Sequence, residues 1–119
     1  MPPDYIAHVK TGDRKGAGTD ADVFLALYNT EGKRSREIKL EGKWWKDEFE
    51  QGVVDTFPID NLANFGIVDK IEVWQDDCGG ADWYVESVII EEVATKTVLP
   101  FPVHRWVKKG KKVRRNSED

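Results

Sequence analysis

TGDRKGAGTDADVFLAL, residues 11–27, is a turn-forming segment rich in Gly and Asp that runs directly into an alternating apolar one. Gly12, Gly16 and Gly18 loosen the backbone, while Asp13, Thr19, Asp20 and Asp22 bring oxygens that can cap a turn or hold a hard cation. Val23, Leu25 and Leu27 recur at every second position and so share one side of an extended chain. The stretch predicts an oxygen-rich loop feeding a half-buried strand.

The same alternation extends in both directions. Upstream, residues 5–10 (YIAHVK) read as a first strand ending at Thr11-Gly12. Downstream, NTEGK at 29–33 is a hairpin turn, and Arg36, Ile38 and Leu40 continue as a strand with one apolar face. KWWKDEFEQ at 43–51 joins two tryptophans to a group of carboxylates, and residues 53–59 return to strand character. Pro58 has no N–H to donate, which argues against a central ladder position there. NLANFGIV at 61–68 reads as a helical turn or an irregular loop. Residues 70–75 form a clear strand, and DDCGGAD at 76–82 a second loop of turn formers and acids. Trp83, Val85, Ile89 and Ile90 build a further strand, residues 97–101 another, and Trp106-Val107 a last short one. About eight short strands at intervals near ten residues, with no amphipathic helix, predict an all-β antiparallel sandwich. A closed barrel and a jelly roll are the alternatives.

The 119 residues suffice for one domain with a core of its own. The single cysteine, Cys78, cannot close an internal disulfide, so the fold does not require an oxidising compartment, and a cytoplasmic location, peripheral at membranes, is the expectation. No apolar run approaches the roughly 18 residues of a membrane span. Charge is unevenly laid out. Residues 105–115 hold seven Lys/Arg and no acid, whereas 11 basic and 20 acidic residues precede them. Residues 1–107 are therefore read as the folded domain and 108–119 as a basic, flexible tail or linker, which could also meet anionic headgroups at about 1 kcal/mol per basic residue. The acidic body gives no reason to expect a nucleic-acid partner.

Enzyme chemistry finds little support. Only His8 and His104 are present, in no triad or metal pattern, and GxSxG, P-loop, HExxH and CxxC motifs are absent. Cys78 lies among Gly and Asp, where negative charge discourages a thiolate. The carboxylates are the positive signal: Asp13, Asp20 and Asp22 at one loop, Asp47, Glu48 and Glu50 at another, Asp76, Asp77 and Asp82 at a third. Oxygen ligands without nearby His or Cys select hard cations, and Ca²⁺ tolerates the geometry of loop carboxylates and carbonyls. Solvated acidic turns are the plainer account, and no loop matches the EF-hand pattern. Trp44 and Trp45 point to opposite faces of an extended segment and are candidates for core packing or for a headgroup boundary. Trp83 and Trp106 are expected in the core.

Several ordered blocks carry a family resemblance: YIAHVKTGDRKGAGTDADVFLALY at 5–28, FEQGVVDTF at 49–57, DKIEVWQDD at 69–77, DWYVESVII at 82–90 and FPVHRWV at 101–107. Over nearly all of 5–107 the chain resembles a PLAT domain, the polycystin-1/lipoxygenase/α-toxin module also called LH2. The resemblance implies an eight-stranded antiparallel sandwich similar to C2 domains, non-catalytic, which recruits proteins to membranes and in several members binds Ca²⁺ at one loop end. By position it implies calcium ligands at Gly16 (backbone oxygen), Thr19 and Asp20, at Asp47, Glu48 and Glu50, and at Asp76, Asp77 and Asp82. In place of the exposed aromatics that membrane-inserting members carry on the first and third loops, this chain has Arg14-Lys15 and Cys78-Gly79-Gly80. Arg14, Lys15, Trp44 and Trp45 are then the expected membrane contacts, through salt-sensitive rather than deeply inserted binding.

The sequence thus predicts a monomeric, calcium-assisted membrane-targeting module that contacts anionic lipids. The competing expectation is a calcium-independent protein-interaction or scaffold module. Its start and charged end fit a single module, such as one repeat of a multi-PLAT protein.

Overall fold

A computed structural model describes residues 2–41, 49–76 and 82–117. Eight strands follow in order: β1 (Tyr5–Thr11), β2 (Val23–Asn29), β3 (Ile38–Leu40), β4 (Val54–Ile59), β5 (Val68–Gln75), β6 (Trp83–Glu92), β7 (Thr97–Val107) and β8 (Val113–Asn116). They form two four-stranded sheets, β4-β1-β6-β7 and β3-β2-β5-β8, with every strand pair antiparallel. The expected sandwich is the observed architecture.

Alternation explains the packing. Ala7 and Val9 of β1, Leu25 and Leu27 of β2, Ile71 and Val73 of β5, and Val88 and Ile90 of β6 point inward and are fully or almost fully buried. Trp83 fills the space between the sheets near one end, edge-on to Phe49, with ring centroids 5.2 Å apart. The prolines sit on sheet edges: Pro58 on β4, Pro100 and Pro102 on β7. There the missing N–H leaves no ladder partner unpaired.

Two sequence expectations are corrected. The segment set apart as a tail from residue 108 contributes β8, which pairs with β5 from Val73↔Val113 to Lys70↔Asn116. Val113 supplies an inward apolar residue, Arg114 Nε reaches Glu72 Oε2 at 2.8 Å, and Arg115 donates to the Val103 carbonyl. Arg114 and Arg115 thus find partners inside the fold. Trp106, expected in the core, is 38% exposed. Val107 takes the inward position opposite Trp83, so Trp106 turns outward and packs edge-on against Tyr84 at 5.2 Å.

The outer face of the second sheet is a cation-aromatic layer. Phe24 stacks on Trp74 at 5.7 Å, Lys112 lies 4.5 Å from the Trp74 ring centre, and Lys70 lies 4.9 Å from that of Tyr28. Beneath it, Glu72 is 1% exposed and accepts from Arg34 Nη2 at 2.8 Å.

Candidate functional site

Antiparallel pairing fixes which loops meet. Lys10 near the end of β1 pairs with Val54 at the start of β4, and Thr11 with Val85 near the start of β6. In the other sheet, Val23 at the start of β2 pairs with Leu40 and Gln75 at the ends of β3 and β5. Trp83 pairs with Val107, the end of β7. The β1–β2, β3–β4, β5–β6 and β7–β8 loops therefore emerge at one end of the sandwich. The three acidic stretches of the sequence belong to the first three of these loops.

Main-chain bonds draw the loops together. Thr19 N donates to the Phe49 carbonyl at 3.1 Å and Gly52 N to the Gly12 carbonyl at 3.1 Å, joining the first loop to the second. Gln51 Nε2 adds a bond to Asp13 Oδ1 at 3.1 Å. Asp76 N donates to the Asp22 carbonyl at 2.9 Å, joining the first loop to the third, and Gly110 N to the Gln75 carbonyl at 3.1 Å, joining the fourth. Gly18 permits a close approach of the first loop to the second, since a Cβ there would stand 2.8 Å from the Phe49 carbonyl and 3.4 Å from Glu50 Oε2.

Phe49 anchors the second loop. Its backbone is left-handed, φ 62°, an uncommon conformation for an aromatic residue. The conformation is held from both sides: its N–H donates to Asp55 Oδ2 at 2.7 Å, its carbonyl accepts from Thr19, and its ring stacks on Phe57 at 5.5 Å.

Under the loops lies a buried polar group of Thr11, Thr19, Asp55 and Gln75. Thr19 Oγ1 donates to Gln75 Oε1 at 2.6 Å and accepts from Ala21 N at 3.1 Å. Gln75 Nε2 donates to the Val107 carbonyl at 2.8 Å, and Trp83 Nε1 to Thr11 Oγ1 at 3.0 Å. The Thr19 hydroxyl is thereby committed inward.

Of the residues named from sequence, Gly16, Asp20 and Glu50 are exposed and Asp76 and Asp82 half-buried at this loop end. Arg14 and Lys15 are exposed on the first loop, the Arg14 guanidinium 4.1 Å from the centre of the Tyr84 ring. Asp47, Glu48, Asp77, Trp44 and Trp45 lie outside the described residues. Among the described residues no group of three His, Cys, Asp or Glu side chains is gathered to hold a metal. Donor chemistry agrees with a hard cation, all of it oxygen, but the described carboxylates alone do not form a complete ligand set. Sequence reasoning passed over Gln75, Asp55 and Tyr84. The available signal was a polar residue in the inward phase of β5, two after Val73, at a strand end.

Residues 5–117 match the PLAT/LH2 domain family. The chain belongs to that family. Over 104 residues, 87% of this chain, the PLAT domain is 40% identical to the mouse (Mus musculus) lipoxygenase homology domain-containing protein 1, of which it spans 5%. It superposes on the coral 8R-lipoxygenase crystal structure, described as having calcium activation via a C2-like domain, with a TM-score of 0.82 and 33% identity, covering 97% of this chain and 17% of that one. A calcium-dependent 11R-lipoxygenase, whose structure suggests a mechanism for Ca-regulation, gives 0.69 and 32% over 95% of this chain and 17% of that one. The matched relatives are thus far longer than this chain. Among the described residues no helix is long and apolar enough to cross a membrane.

Proposed function

We propose that this PLAT domain is a calcium-assisted membrane-targeting module, acting by binding rather than turnover. The observation that carries the reading is the convergence of the three acid-bearing loops at one end of the sandwich, through Thr19–Phe49, Gly52–Gly12 and Asp76–Asp22 main-chain bonds. The calcium dependence described for the two lipoxygenase neighbours adds support. In this reading Gly16 and Thr19 offer backbone oxygens, and Asp20, Asp47, Glu48, Glu50, Asp76, Asp77 and Asp82 offer carboxylates. A bound cation would supply positive charge that lets this acidic end approach anionic headgroups. Arg14 and Lys15 face the headgroups from the first loop, with Trp44 or Trp45 from the second. Trp106 joins them, because its outward ring packs on Tyr84, the ring that Arg14 also covers, and presents an amphipathic edge at the same end.

Calorimetric Ca²⁺ titration, followed by co-sedimentation with phosphatidylserine vesicles with and without chelator, tests the proposal. Heat on titration together with chelator-sensitive sedimentation is expected. Asp76→Asn/Asp77→Asn should weaken the titration while leaving the melting transition in place, and an unchanged titration would remove the third loop from the site.

A second reading is a calcium-independent protein-interaction module. Exposed Val53 and Val54 at the start of β4, together with Trp106, favour it as apolar contacts for a partner. Vesicle binding that is absent at every Ca²⁺ concentration would move the assignment to this reading.

A further inference from the structure

We propose that Gln75 is the positioning residue of the loop end, setting the geometry of the first and second loops and holding the end of β7 through one buried side-chain amide. The inference rests on the loop-end reading above for its ligand and on hydrogen bonding alone for its structural part. Gln75 occupies the last inward position of β5 and is 1% exposed. A continuous series of bonds passes through it. Asp55 Oδ2 accepts from Phe49 N at 2.7 Å, the Phe49 carbonyl from Thr19 N at 3.1 Å, and Gln75 Oε1 from Thr19 Oγ1 at 2.6 Å; Gln75 Nε2 then donates to the Val107 carbonyl at 2.8 Å. The series runs from β4 through the first and second loops to Gln75 on the other sheet and back to β7, the opposite edge of the first sheet. The Gln75 main-chain carbonyl accepts separately from Gly110 N in the β7–β8 loop, a bond that any side chain at this position would keep.

An amide is the suitable group here. It accepts from a hydroxyl on one side and donates to a carbonyl on the other, which a carboxylate or a hydrocarbon cannot do. Buried polar groups of this kind rigidify when every member is bonded and are costly when one is lost. Thr19, fixed by this amide, carries the N–H that bonds the Phe49 carbonyl and so ties the first loop to the second. Asn29 provides the matched comparison at the opposite end. It is also buried, donates through Nδ2 to the Phe65 carbonyl at 2.9 Å, and accepts through Oδ1 from Glu31 N and Lys33 N.

The test compares Gln75→Met, Gln75→Glu and Asn29→Ala by hydrogen exchange without cation and by Ca²⁺ calorimetry. Gln75→Met should raise exchange at the Thr19 and Gly52 amides by about 10-fold or more relative to the global change. Gln75→Glu keeps the acceptor for Thr19 and loses the donor to Val107, so its gain at these amides should be smaller than in Gln75→Met. Asn29→Ala should leave both amides at the global value. Ca²⁺ affinity should fall about 10-fold in Gln75→Met and stay unchanged in Asn29→Ala. Uniform exchange in Gln75→Met, or a local change with unaltered Ca²⁺ affinity, overturns the positioning role. If the unaltered domain binds no Ca²⁺, the functional reading above fails, while the exchange pattern still decides the role of Gln75. Should Gln75→Met not fold, Thr19→Val, which removes one bond of the series, takes its place with the same expectation at Thr19 and Gly52.

Discussion

Removing either partner of the Glu72–Arg34 pair breaks the same contact, yet the two removals should differ sharply in cost. Arg34 donates to Glu72 Oε1 from Nη2 at 2.8 Å and from Nε at 3.3 Å. Arg114 Nε stands 2.8 Å from Oε2 without aiming its N–H there, so that contact is one of charge rather than an aligned hydrogen bond. The carboxylate side chain is 1% exposed, whereas the Arg34 and Arg114 side chains are 32% and 65% exposed. In Glu72→Met the guanidiniums return to water and the buried position gains an apolar side chain of similar size, a change of about 1 kcal/mol or less. In Arg34→Met the carboxylate stays buried with its aligned donors gone. Breaking such pairs costs ~3–5 kcal/mol, and the remaining charges of Arg114 and Lys112 reduce this to about 2–3 kcal/mol. At roughly 4 °C per kcal/mol for a chain of this size, Arg34→Met should melt on the order of 10 °C lower and Glu72→Met less than half as far.

The pH dependence gives a second readout. Burial pushes the Glu72 carboxyl up, but the hydrogen bond from Arg34 and the charges of Arg114, Arg34 and Lys112 outweigh it, and the net shift is downward. A lowered folded-state pKa contributes stability in full above the ordinary carboxylate range, and this is lost as pH falls through the folded value. Arg34→Met removes the largest opposing influence, so its acid loss should begin at higher pH, while Glu72→Met should flatten the profile. Urea unfolding of the three proteins from pH 7 to 3 measures both effects. Equal destabilisation by the two substitutions, or a larger loss in Glu72→Met, would refute the argument from unequal burial.

Trp83→Ala should cost about 3–5 kcal/mol in urea unfolding, because the fully buried indole fills the space between the sheets and donates to Thr11. Thr11→Val, which removes only the acceptor, should cost about 1–2 kcal/mol in the same assay. Gly18→Ala forces a Cβ to within 2.8 Å of the Phe49 carbonyl and should destabilise by ~1–3 kcal/mol while weakening any Ca²⁺ binding by calorimetry. Gly32→Ala, strained at φ +82° but in open space at the other end, should lower the melting temperature without touching that titration. Burial first, with the charges of Glu92 and Asp4, pushes Tyr5 up from 10.0 to about 12. A raised folded pKa is stabilising below the unfolded value and is lost as pH rises between them, so stability should fall from pH 10.0 towards about 12, and less steeply in Tyr5→Phe.

Strand content was legible because Val23, Leu25 and Leu27, and likewise Ile71 and Val73, announce their face through period-two burial. Three features escaped. Trp106 follows an apolar run, but register with Trp83 gives the inward place to Val107. The segment 113–116 reads as basic, and only the buried Glu72 on a strand some forty residues earlier shows why a basic strand belongs there. Gln75 reads as a polar strand end, although its phase with Ile71 and Val73 already pointed inward. Each miss is a long-range pairing, which local pattern cannot carry. The candidate site was legible as composition, through its acidic loops. Its assembly was not, since loop convergence follows from strand order.

That order also divides the sandwich into two unlike ends. At the far end Asn29 caps its own β2–β3 turn, and single bonds tie the connections: Asp4 Oδ2 accepts from Leu62 N, the Asp4 carbonyl from Val93 N, and the Ile67 carbonyl from Thr30 N. At the loop end the β1–β2 segment runs eleven residues between strands, 12–22, and bonds across to the second loop through Thr19 N and the Gly12 carbonyl, to the third through the Asp22 carbonyl, and to β5 through the buried Thr19–Gln75 side-chain pair. A loop tied mainly to other loops holds its shape only while they hold theirs, so binding at one is energetically linked to the order of all four. Burying polar side chains under that end, where Leu and Val would add more burial free energy, sacrifices stability for fixed geometry. The exposed carboxylates above it gain a rigid base that a purely apolar floor could not orient.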